Sequence, residues 1–249
     1  GKKVWRWVGG NKPTKQNNTD CLVKGLAEGE RLFQLNLPVY NGVEMLEIGI
    51  PANSTLEKPE PRKKLPIVFY GTSIMQGGVA SRPGLNIPAV IGRRLDSPIV
   101  NLGFCGCGRM DESVVELLAE LNPSVYVIDC LPNMDMDMVT QRAEPLVNNL
   151  RKVHSETPIL LVEEHDHPSP DLFPGKKKEI QSKNKALQLC YEKLIQSGCE
   201  NLYYLSSEGL IGADSEGTGD GIHPNDRGMS HYINAYERAL HAIVDRDEF

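Results

Sequence analysis

The chain of 249 residues carries 33 acidic against 27 basic side chains, and this net charge of -6 offers no basic footprint for nucleic acid. Hydrophobic residues at 40% and charged residues at 24% suit a packed globular domain, and no apolar run reaches the length of a membrane span. Six cysteines are too few to staple a domain of this size, so the fold must rest on a hydrophobic core.

Residues 1–60 alternate in short stretches. Val4 to Val8 alternates and meets Gly9-Gly10, Glu30 to Leu37 alternates, and Met45 to Ile50 alternates again. Between the last two lies Tyr40-Asn41-Gly42-Val43, which contains an Asn-Gly turn. This predicts a short antiparallel β-rich segment, too small for an independent sandwich. Its open strand edges make it a candidate surface for a homo-oligomer. A charged connector with two prolines, Glu57 to Lys64, marks the boundary with a second domain over 61–249. Gly1-Lys2-Lys3 leads into Val4-Trp5-Arg6-Trp7 without the apolar core of a signal peptide. A start on glycine is expected of a processed chain, from which an export signal could have been removed. A secreted or periplasmic location is expected.

From Leu65 onward strands alternate with helical patterns, which predicts an α/β fold with a parallel sheet. The strands are expected at Ile67–Tyr70, Ile99–Leu102, Val125–Cys130, Ile159–Glu163 and Leu202–Leu205. Helices are expected near Ile87–Leu95, Glu112–Leu121, Met138–Val153, Lys176–Gln196 and Asp226–Val244. The first strand ends in Gly71-Thr72-Ser73-Ile74 and then Gly77-Gly78, so Ser73 stands just past the end of a buried strand, where open α/β sheets place their chemistry. Serine is also a favoured helix N-cap, and this stretch alone leaves the two roles even.

Other strand ends bring polar groups to the same rim. Asn101-Leu102-Gly103-Phe104-Cys105-Gly106 follows the second strand, and Leu131-Pro132-Asn133 follows the third. Near the end of the chain comes Asp220-Gly221-Ile222-His223-Pro224-Asn225. An aspartate three residues before a histidine can fix the imidazole tautomer, leaving Nε2 to take a proton from a serine. Taken one at a time, Gly106 reads as a turn glycine, Asn133 as a cap and His223 as an exposed loop residue. Together, in this order and at these positions, the four are much harder to dismiss.

These blocks resemble the SGNH (GDSL-like) hydrolase superfamily over about residues 65 to 245. Gly71-Thr72-Ser73-Ile74 is similar to the nucleophile block, Asn101 to Gly106 to the glycine block, Asn133 to the asparagine block, and Asp220 to Pro224 to the D-x-x-H-P block. Thr72 and Ile74 replace the usual acid and leucine, and Leu131-Pro132-Asn133-Met134 replaces the usual Gly-x-Asn-Asp. The Gly-Thr-Ser-Ile form is similar to a bacterial subfamily in which the hydrolase follows an N-terminal β-sandwich-like domain, of which residues 1–60 resemble only the end. The resemblance implies a three-layer α/β/α, flavodoxin-like fold. It also implies a serine esterase with Ser73 as nucleophile, His223 as base and Asp220 as its partner. Ser73, Gly106 and Asn133 would supply the oxyanion donors. No cofactor is required. The subfamily implies small acyl groups, acetyl above all, on a carbohydrate.

Glu163-Glu164-His165-Asp166-His167 follows the fourth strand and is read as a solvated or substrate-facing wall rather than a metal site, with Glu163 and His165 as contacts. Arg82 is a further candidate substrate contact, weighed evenly against a structural ion pair. Cys105-Gly106-Cys107 lacks the usual C-x-x-C spacing of metal or redox pairs. The rival readings are a lipid-type esterase, lysophospholipase or thioesterase of the same superfamily, and a carbohydrate-binding protein that keeps the fold without catalysis.

Overall fold

The computed structural model describes residues 4–244. Five strands form one parallel sheet: β1 (Ile67–Gly71), β2 (Ile99–Gly103), β3 (Val125–Asp129), β4 (Ile159–Val162) and β5 (Leu202–Leu205). Their spatial order is β2-β1-β3-β4-β5. The helices are α1 (Ser73–Gln76), α2 (Ile87–Arg94), α3 (Glu112–Ala119), α4 (Met136–Val153), α5 (Pro174–Gln196) and α6 (Asp226–Val244).

β1 and β3 are buried along their whole length, as continuous apolar runs suited to a sheet covered on both faces must be. Alternate side chains then join different cores. Val68, Tyr70, Tyr126 and Ile128 pack with residues of α3, α4 and α5, including Val115, Leu146 and Leu187. Ile67, Phe69, Val125 and Val127 pack with α2 and α6 through Ile87, Ile91, Met229 and Tyr236. The result is the expected three-layer α/β/α arrangement. Side-chain oxygens hold the entries of two helices, Asn86 accepting from the Ala89 N–H at 2.7 Å and Asp135 from the Met138 N–H at 2.8 Å.

The chain runs from β1 outward to β2, then returns past β1 to β3. That reversal opens a crevice beyond the C-terminal ends of β1 and β3, the place where sheets of this order bind ligands. The segments that leave these two strands carry Ser73 and Asn133.

Residues 4–66 contain no strand in this structure, which corrects the expected antiparallel segment. The alternating residues Leu32, Leu35, Met45 and Ile48 are exposed. Alternation defines two faces but supplies no neighbour to take the backbone N–H and C=O groups, and short strands without one are not stable in water. By contacts the chain forms two units: Gly1–Leu35 with Ile50–Glu60, and Asn36–Gly49 with everything from Pro61. In the first, a methyl group on Gly9 would lie 2.0 Å from the Leu22 carbonyl oxygen, so the two backbones touch.

Asp129, at the end of β3, is wholly buried, and Tyr236 donates its hydroxyl to Oδ2 at 2.6 Å. Burial pushes this carboxyl up from 3.8 to about 7; the Tyr236 bond works against the rise, and the nearby Glu164 adds to it. Between those values the folded chain holds a proton that the unfolded chain has lost, so stability falls as pH rises through that window. Asp129→Asn keeps an acceptor for Tyr236 and removes the titration. Thermal melts from pH 4 to 8 should show a wild-type decline, worth on the order of 2–4 kcal/mol, that the variant lacks. Parallel curves for the two proteins would refute this.

Candidate active site

At Gly71 a methyl group would lie 2.6 Å from both the Asp129 carbonyl oxygen and Met75 Cγ, so glycine alone fits where β1 turns into α1. Thr72 is extended, and its Oγ1 accepts from the Ile74 N–H at 3.2 Å. The cap of α1 is therefore Thr72. Ser73 is the first helical residue, 5% exposed, and its Oγ is 2.8 Å from His223 Nε2.

The His223 loop is held by its own backbone and by Asn225. The Gly219 N–H donates to the His223 carbonyl at 2.9 Å, and the Asn225 amide donates to the carbonyls of Glu216 and Thr218 at 2.8 and 3.1 Å. Gly221 turns the loop with φ +86°. Asp220 Oδ1 accepts the N–H groups of Ile222 and His223 at 3.0 and 2.8 Å, and Oδ2 is 2.7 Å from His223 Nδ1. Partial desolvation pushes this carboxyl up. The His223 N–H, the His223 ring and the Ile222 N–H outweigh it, and the net value falls to about 2. A carboxylate only accepts, so Nδ1 carries the ring proton and Nε2 presents its lone pair to the Ser73 hydroxyl.

The glycine loop folds over the start of α1. The Phe104 N–H donates to the Gly71 carbonyl at 2.9 Å, and the Cys105 N–H donates to Gln76 Oε1 at 3.0 Å. A methyl on Gly108 would lie 2.1 Å from the Gly71 oxygen, so the loop approaches β1 as closely as a backbone can. Gly106 adopts φ +71° in open space, so conformation rather than crowding requires glycine there. Asn133 ends a 3-10 turn, Leu131–Asn133, and its Oδ1 accepts the Gly108 N–H at 3.3 Å. That bond orients the amide. Among the described residues, the Ser73 N–H, the Gly106 N–H and the Asn133 Nδ2 have no acceptor.

Arg82 is exposed at the entry to the turn Pro83–Leu85, close enough to Arg93 to help depress that guanidinium's pKa, though burial is the larger cause. Glu163 and His165 are committed internally. Glu163 accepts from the Tyr204 hydroxyl at 2.5 Å and from the Ser207 N–H at 2.7 Å. His165 is 3% exposed, with Nδ1 and Nε2 at 2.8 and 2.7 Å from the carbonyls of Asp166 and Ile222. Their expected place as substrate contacts is corrected: both side chains are engaged by groups of the protein itself, the carboxylate by Tyr204 and Ser207 and the imidazole by two loop carbonyls. All six cysteines are free thiols.

Sequence reasoning passed over two supports. Lys183, 2% exposed on α5, pairs with Glu164 and reaches the Leu131 carbonyl at 3.4 Å, at the base of the Asn133 turn. A lysine at a core position of a helical pattern is the signal that marked it. Gln76 bridges the Val39 carbonyl, 2.7 Å from its Nε2, to the Cys105 N–H, and nothing in its local sequence distinguishes it.

Comparison with known proteins adds to this geometry. Among the solved structures, a candidate GDSL-like lipase from Bacteroides ovatus is 34% identical with a TM-score of 0.81, over 84% of this chain and 62% of that one. The salicylyl-acyltransferase SsfX3 of a tetracycline biosynthetic pathway is 21% identical with a TM-score of 0.65, over 78% of this chain and 58% of that one. A family two carbohydrate esterase from Clostridium thermocellum, solved with cellohexaose, is 14% identical with a TM-score of 0.57, over 76% and 67% of the two chains. The last two likenesses concern the fold alone. This chain thus spans about three fifths of the first two proteins. No curated protein matches it. The model for the N-terminus of SGNH-hydrolase-type esterases matches residues 1–56. Since the model of the GDSL-like lipase/acylhydrolase family matches residues 63–241, the chain belongs to that family.

Proposed function

We propose that this protein is a serine esterase that removes small acyl groups, acetyl above all, from a carbohydrate. The observation that carries the reading is the continuous line of bonds from Ser73 Oγ through His223 to Asp220, at 2.8 and 2.7 Å. Ser73 Oγ attacks the ester carbonyl as its proton passes to His223 Nε2, and Asp220 stabilises the imidazolium. The tetrahedral oxyanion takes hydrogen bonds from the Ser73 N–H, the Gly106 N–H and the Asn133 amide, the three donors with no acceptor of their own. One such donor is typically worth about 3 kcal/mol in the transition state. His223 then protonates the departing alcohol. Water, deprotonated by His223, releases the acid from Ser73.

A binding protein without catalysis has no use for a serine held on an oriented imidazole. The preference for a small acyl group on a polar substrate is supported by the openness of the relay, since the Asp220 side chain is 48% exposed and the His223 side chain 26%. A long acyl chain needs a covered apolar channel to gain from burial. The test compares p-nitrophenyl acetate with p-nitrophenyl octanoate. The acetate should be the better substrate by about tenfold or more in kcat/KM. An equal or better octanoate would favour a lipid-type esterase, and inertness towards both would leave a binding protein.

A further inference from the structure

Residues 36–49 belong with the hydrolase unit, and within them Val39 and Tyr40 reach the rim of the candidate site. Gln76 holds the Val39 carbonyl with Nε2 and the Cys105 N–H with Oε1, tying this segment to the glycine loop. The Tyr40 hydroxyl lies near the Cys105 side chain, one residue before Gly106, while 52% of the residue stays exposed. Burial, and after it the nearby Cys105, raise the phenol pKa, so Tyr40 stays neutral at physiological pH.

The spacing around Gly78 fixes where the phenol lies. A methyl group on that glycine would sit 2.8 Å from Tyr40 Oη, 3.2 Å from the Ser73 carbonyl and 3.3 Å from His223 Cδ2. The phenol and the edge of the catalytic imidazole thus flank one missing side chain. Gly78 is the gap that lets Tyr40 stand beside His223.

We propose that Tyr40 is a specificity-determining residue, whose ring covers the alcohol part of the ester and selects a sugar ring. This rests on the esterase reading above. An aromatic ring with one wet edge offers an apolar face to the C–H face of a pyranose while the sugar hydroxyls stay in water. With the Val39 carbonyl just before it tied to Gln76 and its hydroxyl set against Gly78, the ring is positioned before substrate arrives, so little ordering cost is left to binding. Residues 36–49 would then supply a wall of the substrate site.

The test measures kcat and KM for a fully acetylated hexose and for ethyl acetate, which has no ring to cover, using Tyr40→Ala, Tyr40→Leu and Tyr40→Phe. For Tyr40→Ala the ratio of kcat/KM between sugar ester and ethyl acetate should fall about tenfold, mainly through KM of the sugar ester. Tyr40→Phe, which keeps the ring, should restore the ratio to within about threefold of wild type. If Tyr40→Ala melts early, Tyr40→Leu, which keeps bulk without the aromatic face, decides in its place. An unchanged ratio in the deciding variant would overturn the proposal while leaving the esterase reading intact. A wild type inert towards both esters would overturn both.

Discussion

Asp220→Asn is expected to lower kcat by about a thousand- to ten-thousand-fold while the loop keeps its shape. The asymmetry of the carboxylate's bonds is the reason. Asp220 Oδ1 accepts two backbone N–H groups, so an asparagine must place its carbonyl oxygen there and its NH2 where Oδ2 stood. The NH2 would then donate to His223 Nδ1, forcing the ring proton onto Nε2. A protonated Nε2 faces the Ser73 hydroxyl as a donor and cannot remove its proton. Steady-state rates with p-nitrophenyl acetate check the loss, and a melting temperature close to wild type checks that the fold survives. In the wild type, the carboxyl held at about 2 stays ionised across the neutral range in which an imidazole base works. The acid limb of the pH–rate profile will therefore not report Asp220. A drop of less than tenfold in Asp220→Asn would mean that the tautomer is set by something else.

The hydrolase fold was legible because its central strands are buried on both faces. Ile67 to Tyr70 and Val125 to Ile128 are unbroken apolar stretches that end at Gly71 and Asp129. The amphipathic helices followed from their periodicity, and α6 begins at Asp226 because Pro224-Asn225 closes the loop before it. The residues 4–66 were misread for the opposite reason. Period-two alternation says which side chains share a face, and says nothing about whether a neighbour exists to complete the backbone hydrogen bonds. Exposed Leu35 and Ile48 are what that omission looks like.

The candidate site was legible in its chemistry and not in its supports. Ser73, Asp220 and His223 stand in short blocks whose spacing constrains them. Which of two adjacent hydroxyls caps α1 is not a matter of spacing, and the structure gives the cap to Thr72. Glu163 and His165 sit at the rim, as their place after β4 suggests. Their direction is set by Ser207, Tyr204 and Ile222, which arrive from distant parts of the chain. Tyr40 is the extreme case. Its neighbours Asn41-Gly42 announce a turn, whereas its position is decided by Gln76, Gly78 and Cys105.

Ser73→Ala carries the largest expected effect, a fall in kcat of about a hundred-thousand- to a million-fold, with a residual rate left by the oxyanion donors alone. The cap of α1 belongs to Thr72, so the fold should not suffer. Covalent capture tests the same claim most directly: the protein is treated with a phosphonate ester that reacts with activated serines, and the adduct is located by mass spectrometry. One adduct per chain on the Ser73 peptide, absent from Ser73→Ala, is the predicted result. A wild type that turns over p-nitrophenyl acetate yet carries its adduct elsewhere, or none at all, would contradict the assignment of Ser73 as nucleophile.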